Sequence, residues 1–181
     1  MQPILANSCA LATTTAEAGY RIDRPIDGRR GARIIAMDDQ AAALVRRIAQ
    51  QPWNAARFFT LSATASPSDH PRPSPNGDTG GSDGTYGDMV LRRTDGTDTR
   101  LREELADADV AVMVATTDAN AAAADVIGHA CARRGIMTAG LILGDRHAVT
   151  RTVAALRPHA QVLLATTDDR DVTELLNALR A

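Results

Sequence analysis

The segment Asp109-Val-Ala-Val-Met-Val-Ala is continuously apolar after its first residue. A run this short, without the alternation of a half-solvated strand, predicts a central strand buried on both faces. Its surroundings repeat the same grammar. Arg33 to Met37 reads as a short buried strand. Asp38-Asp39-Gln40 follows, then a helix over 41–51 with Leu44, Val45 and Ile48 at helical spacing. Asp38 or Asp39 is placed to cap that helix and Pro52 to end it. Residues 56–61 predict a second strand. Its adjacent Phe58 and Phe59 would point to opposite faces, so both faces are expected to be covered.

Met89 to Leu91 predicts a short third strand and Thr99 to Asp107 a helix with Leu101 and Leu105 on one face. After the central strand come a helix over 119–134 ended by Gly135, a strand over 136–143, a helix over 148–157 ended by Pro158, a strand over 161–165 and a helix over 170–180. Strand and helix alternating through short links predict an α/β fold: a single three-layer Rossmann-like domain with a mainly parallel sheet. That domain is expected over 32–181. Residues 1–31 show no sustained period and read as a flexible leader. Residues 62–88 are dominated by Pro, Gly, Ser and Asp, a composition that buries too little apolar surface to offset ordering, and read as a disordered insert.

Composition removes several chemistries. All 20 basic residues are arginine, so a phosphate-loop lysine, a Schiff-base lysine and a lysine general base are all excluded. A formal net charge of −2 and 3 % aromatic residues argue against a nucleic-acid surface. No stretch reaches eighteen apolar residues and the amino terminus is a poor signal peptide, so no membrane contact and a cytoplasmic location are expected. Cys131 reads as a buried apolar group in a helix. The Gly-x-Ser-x-Gly pattern of Gly80 to Gly84 falls in the low-complexity stretch and not at a strand-to-helix elbow, and no Gly-x-Gly-x-x-Gly follows the first strand. His147, after Gly144-Asp145-Arg146, is the histidine best placed for catalysis, although no catalytic residue is assigned.

One repeat stands out. Val114-Ala-Thr-Thr-Asp118 recurs as Leu164-Ala-Thr-Thr-Asp168, and Ala36-Met37-Asp38-Asp39 is a weaker relative. Asp38, Asp39, Thr116, Thr117, Asp118, Asp145, Thr167 and Asp168 therefore stand just past the carboxyl ends of predicted strands, the edge where open α/β sheets bind ligands. Two readings apply. Thr and Asp in these places cap helices. They also suit a small phosphate-bearing ligand: Thr116 and Thr117 donating to phosphate oxygens, Asp118 or Asp168 accepting from a hydroxyl, and a carboxylate pair holding magnesium. No cofactor is named by the sequence itself.

The stretch Ala108-Asp-Val-Ala-Val-Met-Val-Ala-Thr-Thr-Asp, a helix, then Arg134-Gly-Ile-Met-Thr-Ala-Gly-Leu-Ile-Leu-Gly resembles the middle of the tubulin/FtsZ nucleotide-binding domain. The likeness covers residues 108–144, with a looser echo over 33–61 and 161–165. It implies a nucleotide-binding scaffold. The family's glycine-rich phosphate loop is replaced here by Thr116-Thr117-Asp118-Ala119-Asn120-Ala121, without glycine. The resemblance therefore implies a degenerate domain that need not bind or hydrolyse GTP. The combined expectation is a non-catalytic interaction or assembly domain with a protein partner or a second copy of itself. The alternative is a nucleotide- or phosphate-ligand enzyme using the acidic strand edge with magnesium.

Overall fold

In the computed structural model the described residues are 31–53, 55–61, 89–144 and 148–178. Their elements run β1 (Ala32–Ala36), α1 (Asp39–Ile48), β2 (Arg57–Leu61), β3 (Val90–Arg93), β4 (Asp98–Arg100), α2 (Leu101–Ala106), β5 (Val110–Ala115), α3 (Ala121–Ala132), β6 (Met137–Leu143), α4 (Thr150–Leu156), β7 (Val162–Thr166) and α5 (Asp169–Ala178). The seven strands form one sheet in the order β4-β3-β2-β1-β5-β6-β7. β2, β1, β5, β6 and β7 are mutually parallel, while β3 and β4 join antiparallel at one edge. This is the α/β, mainly parallel architecture that the strand–helix alternation predicts. The leader and the low-complexity insert lie outside the described residues.

The sheet is covered on both faces. On one, α1 and α5 bury Leu44, Val45, Ile48, Val172 and Leu176 against Ile34, Val112, Val114 and Leu141. On the other, α2, α3 and α4 bury Leu101, Leu105, Ile127 and Leu156 against Ile35, Phe59, Met113 and Ile142. All six residues of β5 are buried, as the unbroken apolar run requires. Phe58 and Phe59 divide between the two cores, one on each face. Cys131 is fully buried, and burial pushes its thiol up to about 11.

The antiparallel edge differs from the expectation. The helix predicted from Thr99 begins at Leu101, because Asp98 to Arg100 pair with β3 instead. The turn is made by Asp95-Gly96. Asp95 accepts from Thr97 N at 2.8 Å, and Gly96 takes φ +89°, where a side chain would be strained. Arg92 then forks across the strands onto the two Asp98 oxygens at 2.8 and 3.1 Å.

A buried ionic group sits under α2. Arg33, 1 % exposed on β1, donates from Nε to the Glu104 carbonyl at 3.1 Å and also reaches the Asp107 carbonyl. It thus serves carbonyls at the carboxyl end of α2, where positive charge is favoured. The Glu104 carboxylate, 2 % exposed, is held by Arg33, by Arg57 at 3.3 Å, by Arg93 and by Thr99 Oγ1 at 3.1 Å. Burial acts to raise its pKa, but the bonds and charges of Arg93 and Arg57 and the Thr99 hydroxyl prevail and hold it below the usual range.

Candidate functional site

Because β1 lies between β2 and β5, the chain leaves β1 through α1 on one face and leaves β5 through α3 on the other. The carboxyl ends of β1 and β5 are therefore the switch point in strand order, the place where such sheets receive ligands. Two loops meet there: Met37-Asp38 after β1, and Thr116 to Asn120 after β5.

Asp38 fills the meeting point. Its backbone is extended at the N-cap of α1, and its Oδ1 accepts from Ala41 N at 2.9 Å. The same carboxylate crosses to the β5 loop. It accepts from Thr116 N at 2.7 Å, Thr116 Oγ1 at 2.7 Å and Thr117 N at 3.0 Å. Asn120 Nδ2 closes the contact from the other side by donating to Met37 O at 2.5 Å. Partial burial works against the Asp38 charge. The bonds from Ala41, Thr116 and Thr117 outweigh it and hold the carboxyl below its ordinary value of 3.8. A helix N-terminus and two strand-end amides would suit a phosphate, and here they converge on a carboxylate of the chain itself.

Asp118 makes a similar link, from the β5 loop to α4. That helix begins after Val149, which has no side chain able to cap it. Asp118 supplies the acceptor from the neighbouring loop, taking Arg151 N at 3.0 Å and Thr152 N at 2.7 Å. Thr152 Oγ1 returns a bond to Thr117 O at 3.2 Å. Desolvation opposes ionisation of Asp118, and the bonds to Arg151 and Thr152 prevail to lower its pKa. The carboxyl edge is thus stitched sideways, the β1 loop to the β5 loop and the β5 loop to α4.

The second copy of the repeat behaves differently. Thr166 is the last residue of β7, and its hydroxyl accepts from Asp168 N at 3.0 Å and donates to Asp171. Asp168 accepts from Arg170 N at 2.9 Å, so its bonds stay within the start of its own helix. Among the described residues β7 is an edge strand, with no strand-end loop beyond it for Asp168 to reach. Thr167 and Asp39 are exposed. Of the candidate residues, Asp38, Thr116 and Thr117 come together, Asp118 adjoins them but turns to α4, and Asp168 stands apart. Asp145 and His147 lie outside the described residues.

Among the described residues, no group of three or more His, Cys, Asp or Glu side chains is arranged to hold a metal ion. No described helix is long and apolar enough to cross a membrane. Sequence reading missed the role of Asn120. An amide immediately before an apolar helix reads as a local cap, whereas its bond goes 83 residues back to Met37. No protein-family model matches the chain, and a search of curated proteins finds no match.

Proposed function

We propose that this domain is a non-catalytic interaction or assembly module that retains a Rossmann-like scaffold without its ligand chemistry. The observation that carries the reading is the Asp38 carboxylate, bonded to Ala41, Thr116 and Thr117 where an anionic ligand would dock. A nucleotide phosphate would have to displace it and face its charge. The likeness of residues 108–144 to tubulin and FtsZ fits the same reading, since the glycine-rich loop is what this chain lacks.

The partner in this proposal is a second copy of the chain. The two sheet edges are unlike. β4 has three residues and charged ends, features that discourage pairing. β7 is the five-residue Val-Leu-Leu-Ala-Thr with no charge and no proline, and Leu163 on it is 37 % exposed. An uncharged edge is open to pairing with a second copy about a two-fold axis.

The test combines light scattering across a concentration series with a thermal-shift screen of nucleotides and sugar phosphates, each with and without magnesium. Concentration-dependent doubling of mass with no nucleotide response is expected. A monomer at every concentration, together with a saturable shift abolished by Thr117→Ala or Asp118→Asn, would refute the proposal in favour of a ligand-binding enzyme.

A further inference from the structure

The free edge of β7 can be assigned group by group. Met137 N donates to Asp109 O at 3.0 Å, so Met137 faces β5. Backbone groups alternate in direction along a strand, so Thr138, Gly140, Ile142 and Gly144 face β7. Gly144 N, donating to Thr166 O at 2.9 Å, agrees from the other end. Thr166, Leu164 and Val162 therefore turn their N–H and C=O to β6, and Leu163 and Ala165 turn theirs outward. Gln161 closes the row, because its N–H goes to Thr138 O at 2.9 Å. The N–H and C=O groups of Leu163 and Ala165 thus stand on an edge that no described strand covers. No residue of β7 is buried, whereas every residue of β5 is.

We infer that two copies join through β7 in one antiparallel register, with Leu164 opposite Leu164 of the second copy. This rests on the reading of a second copy as the partner and gives the geometry of that contact. In an antiparallel pair, two opposed residues that face each other exchange both hydrogen bonds. Centring on Leu164 sets Leu163 against Ala165 of the other copy, and the two-fold axis repeats the match. Every outward N–H and C=O then has a partner. A register centred on Leu163 sets Ala165 against Gln161, whose N–H is already committed. One centred on Ala165 sets Leu163 against Thr167, beyond the end of the strand.

Side chains and charges fit the same register. Leu163 lies over Gly140 beside Leu156, on the α4 face, and Ala165 points to that face too. The large residue of one copy therefore lies next to the small residue of the other. Arg157 precedes the strand and Asp168 follows it, both exposed. Antiparallel pairing brings opposite charges to each end of the joint, whereas parallel pairing would bring like charges together.

The experiment uses the full chain carrying Cys9→Ser, which leaves buried Cys131 as the remaining native cysteine. Single cysteines are introduced, oxidised and resolved on non-reducing gels, with light scattering on the unoxidised samples. In this register the Leu164 positions stand about 4.5 Å apart at Cα, within disulfide reach. The two Leu163 positions are diagonal neighbours about 7–8 Å apart, out of reach. Leu164→Cys should give a reducible species of doubled mass, and Leu163→Cys alone should not. Mixing Leu163→Cys with Ala165→Cys should restore it, since those residues are opposed at about 5.5 Å. The mixture also decides the matter if Leu164→Cys does not fold. Doubled mass in solution with Leu163→Cys cross-linking to itself, or with no cross-link in any sample, overturns the register and leaves the second copy as partner. A monomer at every concentration overturns both.

Discussion

Removing the Asp38 carboxylate should uncouple the two loops at the switch point. In Asp38→Ala the first turn of α1 loses its cap, which costs about 1 kcal/mol. Thr116 N and Thr117 N, now bonded at 2.7 and 3.0 Å, lose their acceptor. Each orphaned donor costs about 1 kcal/mol, at the low end of the usual range because water partly reaches this edge. The expected loss is therefore about 3 kcal/mol. Asp38→Asn keeps the shape but turns one oxygen into an amide that faces backbone N–H groups, and should cost about 2 kcal/mol. Urea unfolding of the three proteins measures both losses from the shift in midpoint, provided the slope is unchanged. Hydrogen exchange should show the Thr116 and Thr117 amides, which share one Asp38 oxygen, losing protection in Asp38→Ala. A loss below about 1 kcal/mol in Asp38→Ala, within the range of a local cap alone, would refute the cross-loop role.

Other expectations follow from the same packing. Glu104→Gln removes the buried carboxylate shared by Arg33, Arg57 and Arg93, leaving Arg33 only the more distant Asp107 at 3.8 Å, and should destabilise by about 3 kcal/mol in urea, whereas Arg57→Gln, half-exposed, should cost under about 1 kcal/mol. At Gly128 on α3 an added Cβ would lie 2.5 Å from His159 Cδ2 and 2.7 Å from its Cγ. Gly128→Ala should therefore lower the melting temperature despite the better helix propensity of alanine, by about 1–3 kcal/mol in stability. Acid should weaken the fold through Asp38 and Glu104. Both have folded-state pKa values below their ordinary 3.8 and 4.5, so their contribution is present above those values and disappears as pH falls below them. Asp38→Asn should flatten some of that acid dependence in a pH series of melts.

The fold was largely legible because its signals are local. A parallel sheet buries its strands on both faces, so β5 carries an unbroken apolar run and β1 and β6 runs interrupted only at Arg33 and Thr138, which need no partner to be recognised. The helix stripes and their Gly and Pro stops are equally local. β4 was not read, because three polar residues form a strand only when β3 supplies hydrogen bonds, and Asp98 to Arg100 look like the opening of the helix that follows. The Asp95-Gly96 pair was the available signal for that hairpin.

The edge residues show where sequence stops. It places Asp38, Thr116, Thr117, Asp118 and Asp168 after strands, since each follows an apolar run and precedes a helix. Identical letters then diverge in use. Thr116 faces Asp38 because β5 neighbours β1, whereas Thr166 turns to Asp171 because β7 is the edge. Arg33 next to Ile34 gives no hint of a buried charge, because its partner Glu104 lies 71 residues away on another element. Periodicity and breakers acting over a few residues mark every strand and helix but β4. Strand order, which no local pattern encodes, decided which carboxylates meet which backbone amides, and so whether the switch point offers its donors to a ligand or to Asp38.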